Sequence, residues 1–341
     1  MKRLGRLLVA LAALFGMQAQ AQEPVTLRIA TFLAPTSFFV TKTIAPWVEA
    51  VERDAGGTVK FEIFAGGTLG AAGRNPAMQL KLVTDGIADL AFVIPVYESG
   101  RFPDDALFNL PLVAANSSEA SVAAWRLLEK GLLRGYEDPA FKVIALYINP
   151  PNVLNTTFPV TRLEDLAGRK IQTGGAEQQD IVRALGAVPV GNVSTREVAE
   201  AASRGVVDGT LKDWLAVYSF RLDAVTKHHV NLPLGSSSIL LPFNKAKYDS
   251  LPERARAAID RHSGLELVRR VGREFDEAAQ AAFDRAKADP KRSIVTPGSD
   301  ELERWKKATQ SVTDGFRKES ERNEKLYQAY VREVAEVRAG K

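Results

Sequence analysis

Residues 166–175 read LAGRKIQTGG. Ile171 stands between a basic pair, Arg169 and Lys170, and an uncharged Gln172, and two glycines follow. The pattern predicts a short strand over 169–173 that opens into bare glycine backbone. In open α/β sheets, ligands meet the protein outside the carboxyl ends of the strands. A helical spacing of apolar residues resumes at 176–185. This succession of strand, glycine and helix is the repeating unit of an α/β fold.

The same unit recurs on both sides. Upstream, 25–32 (VTLRIATF) and 59–64 (VKFEIF) alternate as strands, 88–94 reads as a buried strand and 141–148 (FKVIALYI) as another. Ile44, Trp47, Val48 and Val51 recur at helical spacing until Gly56 and Gly57 stop them, and further helices are expected at 75–84 and 118–130. Around the opening stretch, Thr161 to Glu164 and Ser194 to Glu197 have capping-box spacing. Val206 and Val207 read as a very short strand and Asp208-Gly209 as a turn. Strands at 228–232 and 238–242 return toward the first half. From Pro252 the chain is helical, with a break at 288–290 and one long charged helix over 300–338. The fold class is α/β with a mostly parallel sheet. The chain crosses between two lobes more than once, which suits a hinge and a cleft that closes on a ligand. The expected lobes are 23–150 with about 237–285, and 151–236 with about 286–341 including the long C-terminal helix.

The N-terminus sets the expected compartment. A cationic start with Lys2, Arg3 and Arg6, a charge-free apolar run over 7–15 and Ala19-Gln20-Ala21 form a secretory signal pattern, cleaved after Ala21. The run is short for a spanning helix, which needs about 20 apolar residues. Its removal takes the formal net charge from +4 to +1. No clustered basic face argues for nucleic acid. The chain has no Cys, so an exported core must hold without disulfides. A monomer is expected, although a long terminal helix could serve a dimer contact.

Enzyme chemistry finds little footing. Cys is absent and the three histidines are His228, His229 and His262. Adjacent residues on a strand face opposite ways, so His228 and His229 cannot share one ligand; no metal site and no cofactor are expected. The GxSxG, P-loop and HExxH patterns are missing. What remains are polar and aromatic residues at strand ends: Tyr97, Glu98 and Arg101 after the 88–94 strand, and Lys212 and Trp214 after the Asp208-Gly209 turn. Trp214 reads equally well as pocket wall or as core.

Several segments together resemble one family. Residues 64–70 (FAGGTLG), 166–171 (LAGRKI), 185–190 (LGAVPV), Glu197 with 203–209 (SRGVVDG), and 248–252 (YDSLP) are similar, in order and spacing, to the periplasmic substrate-binding proteins of TRAP transporters, the DctP type. The resemblance runs from about residue 25 to the end. It implies a two-lobed, type II-like periplasmic binding protein with a ligand cleft, crossing strands and long C-terminal helices. It also implies a function: capture of a small organic acid in the periplasm and delivery to a small and a large integral membrane subunit driven by a sodium gradient. A periplasmic sensor module of the same fold is the alternative.

The family's site carries over unevenly. Its carboxylate-clamping Arg, which forks onto two oxygens, falls at Gln172. A second Arg of some members falls nearest Asn152, and the Asn after "DG" falls at Lys212. Glu98 and Arg101 match a pocket-lining Glu-x-x-Arg. Two readings stay open. Either a carboxylate ligand takes its cation from Arg101 or Lys212, or a neutral, zwitterionic or amide ligand uses the donors and acceptor of Gln172. Trp214, Phe32, Tyr97 and Tyr218 are candidate walls, and an aromatic lining would favour an aromatic ligand.

Overall fold

The computed structural model of the protein describes residues 23–340; the expected signal peptide lies outside the described residues. Eleven strands among them form two mixed sheets. They are β1 Val25–Ala30, β2 Val59–Phe64, β3 Leu90–Ala91, β4 Phe141–Ile148, β5 Val153–Thr156, β6 Lys170–Gln172, β7 Val188–Val190, β8 Gly209–Lys212, β9 His228–Val230, β10 Ser238–Asn244 and β11 Ser293–Val295. The first sheet runs β2-β1-β3-β10-β4 and the second β11-β9-β5-β8-β6-β7. In the first, β1 pairs parallel with β2 and β3, while β10 runs antiparallel to β3 and β4. In the second, β5 is antiparallel to β8 and β9, while β6 is parallel to β7 and β8. The antiparallel strands are those that leave one lobe for the other and return.

Seven helices matter for the site: α1 Ala45–Ala55, α2 Ser117–Glu129, α3 Ala176–Ala184, α4 Trp214–Ser219, α5 Gly264–Ala288, α6 Ser299–Glu319 and α7 Glu321–Arg338. α1 stops where expected because Gly56 takes φ +62, the left-handed conformation glycine adopts cheaply at a helix end. α5 ties the lobes together. Its start buries Leu267, Val268, Val271 and Phe275 in the first core, and its end presents Phe283 to Trp214, ring centroids 5.3 Å apart.

Five expectations change. Val206 and Val207 form no strand; β8 begins at Gly209 instead. A Cβ at Gly209 would stand 2.5 Å from the carbonyl oxygen of Asn155 on β5, so this glycine serves close strand pairing rather than a turn. The capping box expected from Thr161 forms one residue later, with Arg162 at the cap position and Asp165 accepting from the backbone of Thr161 and Arg162. A short strand, β11, follows the break at 288–290 and adds to the second sheet in parallel with β9. The single terminal helix is two, separated at Ser320, which is extended and whose hydroxyl caps α7 by accepting from the backbone of Asn323. The break reverses what the ends pack on. α6 puts Trp305 into the second core, whereas α7 puts Leu326, Tyr330 and Val334 into the first, contrary to the expectation that everything after about 286 joins the second lobe. Arg322 of α7 anchors there by forking onto the buried Asp104 at 2.6 and 2.8 Å, the bidentate geometry a guanidinium offers a carboxylate.

Candidate ligand-binding site

β6 and β8 are parallel neighbours, so their carboxyl ends open on one edge of the second sheet. Gln172 lies there, 1% exposed, with its amide engaged at both ends. Its Nε2 donates to the carbonyls of Thr173 at 3.0 Å and Val193 at 2.9 Å, and its Oε1 accepts from the Thr210 hydroxyl at 2.6 Å. An amide has two N–H donors, and both are used by the protein. The polar row continues across the sheet. Asn155 donates to the carbonyls of Val153 and Lys212, both at 3.0 Å, and its Oδ1 meets Nδ1 of His229 at 2.8 Å. Arg292 donates to Nε2 of His229 at 3.2 Å, which leaves the ring proton on Nδ1. Burial, then the nearby cation Arg292, draws His229 down to about 3, so the ring is neutral and structural.

The free polar groups lie one step beyond Gln172. Lys212 ends β8, and among the described residues its ammonium has no hydrogen bond or ion pair. A Cβ placed at Gly174 would stand 3.7 Å from its Nζ. Burial draws Lys212 down to about 8, opposed by the charge of Asp213. Thr173 is 1% exposed and its hydroxyl has no partner. α3 begins at Ala176 with no side chain capping it, so its positive dipole end faces the same opening. The ammonium and the hydroxyl make a surface suited to an anion, while the first turn of α3 itself carries the carboxylate of Glu177.

The other lobe clusters aromatic rings just past its strand ends, in the first core. Phe32, just past β1, and Phe92, just past β3, meet edge to face at 5.8 Å, and Phe39 lies 4.6 Å from Phe92. The two lobes touch across this opening. A Cβ at Gly175 would be 2.8 Å from Val96 Cγ2, so only glycine admits that contact. Arg196, on the 191–197 loop that Gln172 holds through Val193, donates to the carbonyl of Phe32. This bond joins the two lobes away from the crossing strands, where it would latch a closed cleft. Arg196→Met is expected to raise the ligand dissociation rate about three- to tenfold, the worth of one partly solvated charged hydrogen bond. Stopped-flow displacement would measure it, and an unchanged rate would remove the latch.

The other expected site residues fall elsewhere. Arg101 is 40% exposed and pairs within its own lobe, with Asp138 at 3.0 Å and Glu98 at 3.6 Å, so it is not the free cation. Burial raises the Glu98 carboxyl and Arg101 opposes this. Tyr97 is 41% exposed. Asn152 is locked to the carbonyl of Gly235 through its backbone (2.8 Å) and its side chain (3.1 Å). Trp214 is core: it stacks near His229 at 4.9 Å, donates to Asn231 at 3.0 Å and borders a separate cavity of about 280 Å³ with Pro150, Pro151 and Phe283. Tyr218 lies under Arg285, 4.0 Å from its ring centroid. Thr173, Phe92 and Arg196 went unnoticed in the sequence. Thr173 sits inside the opening stretch, and the placement of a hydroxyl past a strand end was the available signal.

The family model for bacterial extracellular solute-binding proteins, family 7 (DctP), matches residues 29–319. A relative from Comamonas testosteroni, the outer membrane transporter protein TsaT, is 28% identical over 262 residues, 75% of each chain. A solved marine metagenome TRAP solute-binding protein specific for aromatic acid ligands, in complex with 3-hydroxybenzoate, superposes with a TM-score of 0.85 at 26% identity, covering 92% of this chain and 98% of that one. A TRAP solute-binding protein from Rhodoferax ferrireducens with copurified benzoate gives 0.81 at 27% identity, with 92% and 98% covered. No helix among the described residues is long and apolar enough to cross a membrane. With a two-lobed α/β fold and a family match across most of its length, the chain belongs to the bacterial extracellular solute-binding proteins of family 7, a family of receptors and not of enzymes.

Proposed function

We propose that this protein captures a small aromatic carboxylate in the periplasm, closes its two lobes around it and delivers it to the small and large membrane subunits of a TRAP transporter. Export follows from the signal pattern ending at Ala21. One observation carries the ligand class: the ammonium of Lys212 is half-buried and, among the described residues, unpaired, beside the free hydroxyl of Thr173, while the other lobe clusters Phe32, Phe92 and Phe39 just past its strand ends. A buried cation without a counterion is costly, and a ligand carboxylate supplies one. Its aromatic remainder packs on the phenylalanines, which favour offset or edge contacts. Both donors of Gln172 are used within the protein, which supports the carboxylate reading over the neutral-ligand one. The solved relatives that bind 3-hydroxybenzoate and benzoate support the same class.

Native mass spectrometry of protein prepared without added ligand, with thermal shift against benzoate, hydroxybenzoates and succinate, tests this reading. A ligand at a hundred times its Kd stabilises by about 2.7 kcal/mol. No shift with any aromatic carboxylate would overturn it. The pH dependence is a second expected result. In the empty protein Lys212 loses its charge as pH rises through about 8, so binding a carboxylate above that pH requires uptake of a proton. Affinity at pH 9.5 should be about tenfold or more below that at pH 7, read by titration calorimetry in two buffers of different ionisation heat.

A further inference from the structure

The geometry points to Glu177 as the residue that selects for a hydrogen-bond donor on the far side of the ligand ring, so that the ligand is a hydroxy- or amino-substituted aromatic carboxylate. The inference rests on Lys212 holding the carboxylate and adds what the other end of the ligand must carry. Glu177 lies in the first turn of α3. Glu177 is half-buried, but its Oε2 is shut off from solvent and among the described residues has no hydrogen-bond partner. Nearly all buried polar atoms in folded proteins are satisfied, and an unpaired carboxylate oxygen is among the most costly to leave so.

Two observations place this oxygen near the seam between the lobes. A Cβ at Gly175 would stand 3.3 Å from it and 2.8 Å from Cγ2 of Val96, which comes from the other lobe. Asp105, also from that lobe, feels the charge of Glu177: burial first, with Asp104 and Glu177 adding, raises the Asp105 carboxyl to about 7. Yet Asp105 is already occupied, accepting from the Tyr136 hydroxyl at 2.6 Å and from Ser238. The unfilled acceptor at this end is therefore Glu177. Lys212 Nζ borders Gly174 and Glu177 Oε2 borders Gly175; with 3.8 Å between successive Cα atoms, the two charged groups lie within about 14 Å of each other. A cation and an unpartnered carboxylate oxygen thus lie along the same glycine pair. A carboxylate goes to Lys212. A plain ring end leaves Glu177 unpaired, a second carboxylate opposes it, and a hydroxyl or amine satisfies it.

The test measures affinities of the full mature chain for benzoate, 3- and 4-hydroxybenzoate, 3- and 4-aminobenzoate and 3-methoxybenzoate, by calorimetry, for the wild type, Glu177→Gln and Glu177→Ala. At least one donor-bearing acid should bind the wild type about tenfold or more tightly than benzoate, as expected for a hydrogen bond to a charged group. The methoxy compound, which accepts but cannot donate, should lose that advantage. Glu177→Ala should bring the ratio to within about threefold of one while benzoate affinity is retained, and Glu177→Gln, which keeps an acceptor of the same shape, should fall between. An unchanged ratio in Glu177→Ala, or a wild type that binds benzoate as tightly as every substituted acid, overturns the role of Glu177 and leaves Lys212 standing. Absence of binding by all these acids overturns the carboxylate reading, and this inference with it.

Discussion

Lys212→Met should abolish capture of aromatic carboxylates and at the same time make the empty protein more stable. The two effects share one cause. Burial draws the ammonium down to about 8 from an ordinary value of 10.5, so the folded chain disfavours the charge that the unfolded chain carries freely. A lowered lysine means the folded state binds fewer protons than the unfolded state between about pH 8 and the ordinary lysine range. Stability contributed by this position therefore rises with pH across that window, and the full penalty applies at neutral pH. Methionine has similar length and no charge, so replacing Lys212 at pH 7 should stabilise the empty protein by about 2–3 kcal/mol. Binding should move the other way. Removing the one partner of a buried carboxylate costs about 2–5 kcal/mol, a loss of roughly thirty- to several-thousandfold in affinity. Thermal denaturation of the empty and loaded forms reads both numbers. Retained affinity, or a less stable empty protein, would show that Lys212 is a structural lysine rather than the ligand's counterion.

The second large effect is expected at Gln172, and it should appear in stability before it appears in binding. Gln172→Leu keeps the volume but leaves the Thr210 hydroxyl and the carbonyls of Thr173 and Val193 without their partner in a nearly dry interior. The Thr210 hydroxyl and the Thr173 carbonyl are buried, whereas the Val193 carbonyl is only part-buried; at about 1–3 kcal/mol for each buried group, a loss of about 2–6 kcal/mol is expected, visible as a lower denaturant midpoint at unchanged m-value. The ligand effect should be secondary, through the 191–197 loop that presents Arg196 to Phe32. If Gln172 instead touched the ligand, the same variant would keep its stability and lose its affinity. The two outcomes separate a side chain that holds the site's frame from one that holds its occupant.

The opening stretch shows how far the chain can be read without its fold. Periodicity located β1 and β2 because each alternates over six residues, and β4 because it is a bounded apolar run. It failed at β8, where Gly209 looks like a turn residue; that glycine is in a strand because the backbone of Asn155 comes too close for a Cβ. It also merged α6 and α7, because the cap formed by Ser320 is one residue in a continuous run of helix formers. The charge exchange at the site was half legible. Gln172 could be seen to lack a charge and Lys212 to carry one, and Arg101 remained an equal candidate until its pairing with Asp138 and Glu98 was visible.

By itself the sequence determined the α/β class, the exported and disulfide-free character expected of the chain, the family resemblance and the position at which the clamp would lie. These depend on local spacing, composition and linear order, which every residue carries with it. Only the tertiary structure decided what each side chain does at that position. Gln172 is used up by Thr210, Thr173 and Val193; Lys212 is left unpaired; Glu177 is sealed at a seam between lobes. Whether a polar group is free for a ligand depends on which distant groups satisfy it first, and those partners meet only when β6, β8 and the loops that follow them fold onto one sheet edge.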